Sequence, residues 1–273
     1  MPDTTSPPAT TPPPRVALIT GASAGIGRAT ALELARAGVR VALNARRAPV
    51  LDQLADEINS AGGTARAFPA DAADPDTLDR LWQQVCDWAG PDRACPDIVV
   101  ANAGHGLAGG VLSSDTDRWH HMFQLNVLGN LHLLRLAAAA MAPDASADDA
   151  PPRDGWDAPR DLVVLGSVVG THISPFSAVY GSTKFALESC AEALRREVGK
   201  RGVRVTTVKP GIVLSEFQDV AGYDQDNFGH AVAKFGRVLE PADIARSIRF
   251  VVEQPPHVHV NTLTVRPTGQ DYP

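Results

Sequence analysis

Tyr180 and Lys184 lie four residues apart, so a helix through this segment would present a phenol and an ammonium on one face. Free tyrosine has a pKa of about 10 and is a poor acid or base at neutral pH. A fixed positive charge nearby favours the phenolate, so we expect Lys184 to lower the pKa of Tyr180. Ser167, which ends an apolar run upstream, adds a hydroxyl. The same spacing is common on solvated helices, so this interpretation depends on the rest of the chain.

The elements that must position these groups alternate between short apolar runs and longer helical stretches. The candidate strands are residues 15–20, 39–44, 65–69, 98–101, 162–167, 203–209 and 258–265, and the candidate helices are residues 25–37, 48–61, 75–89, 117–142, 179–199 and 241–253. Continuous apolar strands separated by helices predict a parallel sheet that is covered on both faces. With right-handed crossovers, the pattern predicts an α/β fold: a doubly wound, three-layer Rossmann sandwich with a seven-stranded parallel sheet.

Four ranges describe the predicted organisation. Residues 1–14 are rich in Pro and Thr and predict a disordered tail, followed by a single domain over residues 15–273. Residues 143–160, rich in proline and acids, predict a surface insertion. Residues 214–236 have no clear period and carry aromatic side chains among glycines and acids, which is typical of a substrate lid. A merely variable surface loop is the alternative for this last segment.

Composition excludes several classes of function. A net charge of -6 argues against a general binder of nucleic acid or of anionic membranes. No apolar run approaches the length of a membrane span. The three cysteines, Cys86, Cys95 and Cys190, have no metal-ligand spacing. Their odd number suits reduced thiols, so we expect a cytoplasmic protein without a metal site.

A glycine-rich turn directly follows the first predicted strand and opens the first helix. In a turn of this kind Gly21 permits the tight bend, Gly25 lets a pyrophosphate approach the backbone, and Gly27 allows close packing of helix on sheet. The helix N-terminus then offers free N–H groups and a favourable dipole to phosphate. The pattern predicts a dinucleotide site, with binding residues Gly21, Ser23, Gly25, Ile26 and Gly27.

Cofactor choice is set at the end of the second strand. An acid at that point would bind both ribose hydroxyls of NAD and repel a 2′-phosphate. This chain has Ala45 at the position expected for the acid, followed by Arg46 and Arg47. A guanidinium can hold phosphate through two parallel hydrogen bonds. We therefore predict NADP(H), with Arg46 as the main ligand and Arg47 as a secondary one, the alternative being two solvated arginines.

With these motifs the chain resembles the short-chain dehydrogenase/reductase family, in its compact single-domain branch. The matching features are the turn at 20–27, Asn102-Ala103-Gly104, Asn126, Ser167, Tyr180 with Lys184, and Pro210-Gly211. They occur in the family's order and span nearly all of residues 15–266. The residues at 260–270 resemble a subgroup that includes NADP-dependent hydroxy-amino-acid dehydrogenases and clavulanate-pathway aldehyde reductases.

The resemblance implies roles for further residues. Asp71 and Ala72 would contact adenine, Asn102, Ala103 and Gly104 would line the cofactor, and Pro210, Gly211 and Val213 would hold the carboxamide end. Tyr180 and Lys184 would also contact the cofactor. The backbone carbonyl of Asn126 would hold a water behind Lys184 and so extend a proton relay. A homo-oligomer, a tetramer or a dimer, is implied as well.

These roles imply hydride transfer between a nicotinamide and the carbonyl or alcohol carbon of a small molecule, with Tyr180 as general acid and base. Ser167 and Tyr180 would donate hydrogen bonds to the carbonyl oxygen. We expect the substrate walls to include His105, Val169, His172 and Phe217. Two alternatives stay open: an NADP(H)-sensing binding protein without turnover, and a related epimerase or dehydratase. The short region after Pro210 argues against the latter, since such enzymes carry a larger substrate domain.

Overall fold

Seven parallel strands form one sheet at the centre of the protein. The computed structural model describes residues 13–91, 93–142, 159–224, 229 and 233–271. The strands lie in the order β3-β2-β1-β4-β5-β6-β7, and every pair of neighbours is parallel. Their bounds are β1 Val16–Thr20, β2 Arg40–Ala45, β3 Ala65–Pro69, β4 Ile98–Ala101, β5 Arg160–Leu165, β6 Val203–Pro210 and β7 Thr262–Val265. The predicted doubly wound sandwich is confirmed.

Helices cover both faces of this sheet. Their bounds are α1 Gly25–Arg36, α2 Ala48–Ser60, α3 Pro75–Ala89, α4 Trp119–Phe123, α5 Asn130–Met141, α6 Ala178–Val198, α7 Phe217–Ala221 and α8 Pro241–Val252. One apolar core joins α1, α2 and α8 to the sheet, and a second joins α3, α5 and α6 to its other face. The central strands β1 and β4 are buried along their whole length, as strands covered on both faces must be.

The order of the strands creates the crevice in which the site lies. The chain runs outward from β1 through β2 to β3, then returns to β4 on the other side of β1. The loops that follow β1 and β4 therefore diverge to opposite faces. They leave a cleft at the carboxyl ends of the strands, where open α/β sheets place their ligands.

Two predicted strands differ from the observed ones at their ends. The strand predicted at 162–167 ends at Leu165, so Ser167 lies beyond the sheet in the turn that follows. The strand predicted at 258–265 begins only at Thr262. As the last strand it pairs with β6 alone, over four residues. Before Thr262 the chain still lies beside β6, since the Val260 carbonyl accepts from the Thr206 hydroxyl at 2.7 Å, but it does not continue the ladder of the sheet.

The long helix predicted over residues 117–142 is present but not uniform. A 3₁₀ turn over Thr116–Arg118 leads into α4, and a π-helical segment over Gln124–Gly129 separates α4 from α5. The Asn130 side-chain amide donates to the carbonyls of Leu125 and Asn126, both at 3.1 Å. A side chain that competes for backbone carbonyls widens a helix locally, and such segments are frequent at functional sites.

The irregular segments are described in part. The predicted tail lies outside the described residues except for 13 and 14, and so does the predicted insertion except for 159 and 160. Within the predicted lid, residues 214–224, 229 and 233–236 are described, and Phe217–Ala221 form the short helix α7. Among the described residues, no helix is both long and apolar enough to cross a bilayer.

Candidate active site

The turn between β1 and α1 is built as its glycines predict. Gly21 and Gly25 have φ of 66° and 52°, in the left-handed region that favours glycine. A Cβ at Gly27 would lie 2.3 Å from the Gly21 carbonyl oxygen, so only glycine lets the helix approach the turn this closely. Ala24, the N-cap of α1, has no side chain able to cap the first turn. The helix therefore presents uncapped N–H groups to the cleft.

The loop after β4 is fastened to this turn by Thr20 and Asn102. The Asn102 side-chain amide donates to the Thr20 carbonyl at 2.8 Å, and the Thr20 hydroxyl accepts from the backbone N–H of Asn102 and of Ala103 at 3.1 and 3.0 Å. A Cβ at Gly21 would meet the Asn102 amide at 2.7 Å. Asn102 thus positions the glycine turn, in addition to lining the cleft.

Arg46 and Arg47 follow β2 at the rim of the cleft, and both are exposed. The Arg47 guanidinium donates to the Ser23 hydroxyl at 3.2 Å and lies 3.9 Å from the Glu216 carboxylate. Arg47 is therefore already engaged by the glycine turn and by the residue before α7. Arg46 has no such contact among the ion pairs and hydrogen bonds of the described residues.

Asp71 and Ala72, after β3, also reach the cleft. The Asp71 carboxylate accepts from the Ala73 N–H at 3.0 Å, which shapes the turn into α3. Behind it, the Asn44 amide donates to the carbonyls of Phe68 and Ala70 at 3.0 and 3.2 Å. The end of β3 is therefore held to β2 by a fully buried side chain.

Tyr180 and Lys184 lie on one face of α6, as their spacing predicts. Both are buried, with 8% and 5% of their surface exposed. The Tyr180 and Ser167 side chains line the same cavity, and the Ser167 hydroxyl is near enough to the phenol to oppose the rise in its pKa. The Lys184 ammonium donates to the Leu165 carbonyl at 2.6 Å and lies 5.8 Å from the centroid of the Tyr180 ring. The three groups expected to act together are thus in one place.

The electrostatics differ from the expectation that Lys184 lowers the pKa of Tyr180. Burial, aided by the nearby Tyr223 phenol, raises the pKa of Tyr180, and the Ser167 hydroxyl only partly offsets this. Burial also lowers the pKa of Lys184 to about 8, against an opposing effect of Glu188. Desolvation dominates because both groups are enclosed by α6 and the turn after β5. Tyr180 is therefore held as a neutral phenol in this structure.

Asn126 lies one layer behind this group and is fully buried. Its side-chain oxygen accepts from the His105 N–H at 3.0 Å, while its amide donates to the His105 carbonyl at 2.9 Å and to the Thr183 hydroxyl at 3.1 Å. Its backbone carbonyl accepts from the Asn130 amide. Asn126 thus joins the π-helical segment to the loop after β4 and to α6.

A cavity of about 1200 Å³ joins these parts. We call the wall formed by residues 21–26, 44–47, 70–72 and 102–104 the glycine side. The opposite wall, formed by residues 105–110, 165–169, 174–180 and 210–224, we call the tyrosine side. Of the residues predicted from the sequence, the following line the cavity: Gly21, Ser23, Gly25, Ile26, Arg46, Arg47, Asp71, Ala72, Asn102, Ala103, Gly104, His105, Ser167, Val169, Tyr180, Lys184, Pro210, Gly211, Val213 and Phe217.

Three predicted site residues do not line this cavity. Gly27 and Asn126 lie just behind its wall, where they pack and bond as described above. His172 is exposed on the turn after β5, with its Nδ1 atom 3.3 Å from the Val168 carbonyl. The prediction of His172 as a substrate wall is therefore not supported, because its exposed ring lies beside the Val168 carbonyl and the chain returns to the cavity only at Ser174.

Helix α7, within the segment predicted as a lid, packs against the tyrosine side. The Phe217 ring lies 5.5 Å from the Tyr180 ring, centroid to centroid, and a Cβ at Gly106 would come within 2.5 Å of it. The Ala108 N–H donates to the Ala221 carbonyl at 2.9 Å, and Arg118 donates to the Val220 carbonyl at 2.7 Å. Phe217 therefore covers the phenol while backbone contacts fasten α7 to the loop after β4.

Sequence reasoning missed three residues of this region. Tyr223 lines the cavity together with Ser177, the N-cap of α6. Asn130 shapes the π-helical segment, and Glu188 places a buried carboxylate behind Ser167. Only Glu188 had a signal in the sequence, since it continues the four-residue spacing of Tyr180 and Lys184. The other two depend on contacts between distant segments.

The family profile of the short chain dehydrogenases matches residues 15–226. An uncharacterized oxidoreductase of Staphylococcus epidermidis is 30% identical over 253 residues, which cover 93% of this chain and 97% of the relative. The chain therefore belongs to the short-chain dehydrogenase/reductase family, whose members are oxidoreductases that bind a nicotinamide cofactor.

Solved structures of the family share the fold. A serine dehydrogenase complexed with NADP+ in its closed form has a TM-score of 0.79 at 25% identity, over 94% of this chain and 96% of the other. An alcohol dehydrogenase of the archaeon Thermococcus sibiricus, complexed with 5-hydroxy-NADP, has a TM-score of 0.77 at 25% identity, over 95% and 99%. The sheet and its helices therefore belong to an architecture known in oxidoreductases.

Proposed function

We propose that this chain is an NADP(H)-dependent oxidoreductase that interconverts a carbonyl group and an alcohol on a small molecule. The observation that carries the proposal is the position of Tyr180 and Ser167 together in one wall of the cavity whose opposite wall is the glycine turn. A hydride acceptor bound at the phenol would thus lie in the same cavity as a dinucleotide bound at the turn.

The glycine side fits a dinucleotide. The uncapped first turn of α1 offers N–H groups to a pyrophosphate, and the left-handed Gly21 and Gly25 remove the side chains that would obstruct it. We assign cofactor binding to Gly21, Ser23, Gly25, Ile26, Gly27, Arg46, Arg47, Asp71, Ala72, Asn102, Ala103, Gly104, Tyr180, Lys184, Pro210, Gly211 and Val213. Gly27 and Asn102 contribute mainly by holding the turn in shape.

The choice of NADP(H) rests on charge at the end of β2. Arg46 and Arg47 are exposed at the rim of the cleft, and Ala45 supplies no acid that would repel a 2′-phosphate. Because Arg47 is engaged by Ser23 and Glu216, Arg46 is the freer of the two guanidinium groups. Two of the most similar solved structures are complexes with NADP+ or an NADP analogue, which favours the same assignment.

The tyrosine side supplies the proton chemistry. A nicotinamide cofactor, when bound, would supply or accept the hydride. Ser167 and Tyr180 donate hydrogen bonds to the carbonyl oxygen, and Tyr180 delivers its proton as negative charge develops there. The raised pKa of Tyr180 suits this direction, since it keeps the phenol protonated. Lys184 binds ribose hydroxyls, and Asn126 supports the relay behind it through its backbone carbonyl.

Substrate contacts come from His105, Val169 and Phe217. The His105 Nδ1 atom lies 3.2 Å from the Gly106 carbonyl, and its buried Nε2 atom has no hydrogen-bond partner among the described residues. Burial lowers the pKa of His105, so the ring is neutral near pH 7. A neutral imidazole in the same cavity as the phenol suits a polar, uncharged substituent on the substrate. Segment 214–236 acts as the lid over this wall.

A homo-oligomer, a dimer or a tetramer, completes the proposal. Phe123, Leu128 and Phe185 are exposed on α4, the π-helical segment and α6, which are neighbours in the fold. A shared apolar surface of this kind is typical of a protein interface. The raised pKa values of Cys86 and Cys95, caused mainly by burial, fit inert thiols and a reducing, cytoplasmic setting.

The Tyr180→Phe variant tests the reaction. We expect kcat for NADPH-dependent reduction, measured over a panel of aldehydes and ketones, to fall by about 10²- to 10⁴-fold, because the proton donor is lost. The dissociation constant for NADPH should stay within about twofold, since the glycine turn is untouched. Cys190→Ser, at an exposed position elsewhere on α6, is the control and should retain full activity.

Two outcomes would contradict the proposal. A Tyr180→Phe variant that turns over at the wild-type rate would remove Tyr180 from the chemistry. Tight NADPH binding by the wild-type protein without turnover of any carbonyl or alcohol in the panel would instead favour a nucleotide-sensing protein.

A further inference from the structure

Glu188 is the third member of a stripe on α6, one turn beyond Lys184 and two turns beyond Tyr180. Only 9% of its surface is exposed. One carboxylate oxygen accepts from the backbone N–H of Ser167 at 3.0 Å, and the other lies 2.8 Å from the Lys209 ammonium on β6. A buried carboxylate is stable only when its charge is paired and its oxygens are bonded, and both conditions hold here.

Lys209 also contacts the far end of the turn that follows β5 and contains Ser167. Its ammonium also donates to the Thr171 hydroxyl at 2.9 Å. The Glu188–Lys209 pair therefore contacts the turn at Ser167 and at Thr171, on both sides of the 3₁₀ segment Val168–Gly170. We call residues 166–171 the serine turn.

Two glycines allow this close approach. A Cβ at Gly166 would lie 2.4 Å from a Glu188 carboxylate oxygen, and a Cβ at Gly170 would lie 2.1 Å from it. Neither glycine has a positive φ, so the left-handed conformation is not the reason for glycine at these positions. The reason is space, because the serine turn wraps directly around the Glu188 side chain.

We propose that Glu188, paired with Lys209, is a positioning residue that fixes the serine turn against α6 and so holds the Ser167 hydroxyl at Tyr180. This inference rests on the proposed function of Ser167 and Tyr180. Ser167 lies beyond the end of β5, and the N–H of the preceding Gly166 still donates to the Val208 carbonyl on β6 at 2.9 Å. The N–H of Ser167 itself is bound by Glu188, which lies on the same helix that carries the phenol.

The charge of Glu188 also acts on Lys184. Glu188 raises the pKa of Lys184 against the larger opposing effect of burial. The charged and titratable groups around Glu188 are Tyr180, Lys184 and Glu192 on α6 and Lys209 on β6. The direct hydrogen-bond partner of the Lys184 ammonium is the Leu165 carbonyl. Loss of the carboxylate charge should therefore lower the pKa of Lys184 further.

Two substitutions separate position from charge. Glu188→Gln keeps an oxygen that can accept from Ser167 but loses the charge, whereas Glu188→Ala loses both. We expect Glu188→Gln to lower kcat by about tenfold and to move the alkaline limb of the pH–kcat profile to lower pH. Glu188→Ala should lower kcat by about 100-fold, since small displacements of a catalytic hydroxyl have effects of this size. NADPH affinity should change less than threefold in both.

Glu192→Gln is the matched control. Glu192 lies one turn further along α6 and pairs only with surface arginines, Arg195 and Arg196, among the described residues. The double variant Glu188→Gln with Lys209→Met removes the unpaired ammonium that the single variant leaves behind. We expect the double variant to have a higher melting temperature than Glu188→Gln. Its kcat and its pH profile should stay those of Glu188→Gln and not return to those of the wild type.

The results distinguish this inference from the proposed function. Restoration of wild-type kcat and pH profile in the double variant would reduce Glu188 to a structural ion pair and overturn the inference. Crystal structures supply a readout that needs no turnover: in Glu188→Ala the serine turn should shift so that Ser167 no longer reaches Tyr180. An unmoved turn would also overturn the inference, whereas an inactive wild-type enzyme would overturn only the proposed function.

Discussion

The glycine side and the tyrosine side of the cavity are held in place by different kinds of contact. On the glycine side, backbone groups dominate: Thr20 and Asn102 bind main-chain atoms, and Gly27 lies against the Gly21 carbonyl. On the tyrosine side, side chains make the main contacts: the Phe217 ring packs against the buried Tyr180 ring, and the Glu188 carboxylate binds the N–H of Ser167.

This difference in contacts predicts which side of the cavity tolerates amino-acid substitutions. A dinucleotide is the same molecule in every enzyme that uses it, so a main-chain cradle with a few obligatory glycines suffices to bind it. A substrate differs between enzymes, and side chains on loops can be exchanged without disturbing the sheet. We therefore expect substitutions on the glycine side to affect cofactor binding and folding together, and those on the lid to affect substrate use alone.

The strongest test of this comparison is Gly27→Ala. The new Cβ would overlap the Gly21 carbonyl at 2.3 Å and the Asn102 amide at 2.6 Å. We expect a loss of about 2 kcal/mol in the free energy of unfolding, together with a rise of at least about 100-fold in the dissociation constant for NADPH. Gly199→Ala is the control, since its φ is -60° and nothing lies within 4 Å of its added Cβ. Unchanged NADPH affinity in Gly27→Ala would contradict the account of the turn.

A smaller effect is expected from Arg46→Ala. Loss of the freer guanidinium should raise the KM for NADPH by about 10- to 100-fold and leave the KM for NADH nearly unchanged. Arg47→Ala should have a smaller effect on the same ratio, because Arg47 is shared with Ser23 and Glu216. Steady-state kinetics with both cofactors measure this. Equal effects on NADPH and NADH would remove Arg46 from recognition of the 2′-phosphate.

The smallest effect is expected on the lid. Phe217→Ala removes the ring that covers Tyr180 and should raise the KM for the carbonyl substrate by about fivefold, with NADPH affinity and melting temperature almost unchanged. Phe250→Ala, an exposed aromatic on α8, serves as the control. If Phe217→Ala instead weakened NADPH binding as strongly as Arg46→Ala, the separation between the two sides would fail.

Much of the fold and of the glycine side could be predicted from the sequence, because those features arise from local patterns. Apolar periodicity located seven strands, and the glycine spacing located the turn before α1. Errors were confined to places where distant residues intervene. The π-helical segment depends on Asn130, whose amide reaches the Ala103 carbonyl as well as its own helix. The position of His172 depends on how the serine turn bends.

The amino-acid sequence alone determined the parallel sheet, the glycine turn and the shared face of Tyr180 and Lys184, since each follows from the repeat of a strand or a helix. Only the tertiary structure decided the electrostatics of the site. The spacing predicted a lowered pKa for Tyr180, and burial raises it instead. Likewise, only the fold brings Glu188, Lys209 and Ser167 together, because they lie on a helix, a strand and a turn that meet through packing. Desolvation and long-range contacts depend on what surrounds a group, and that is fixed only when the chain is folded.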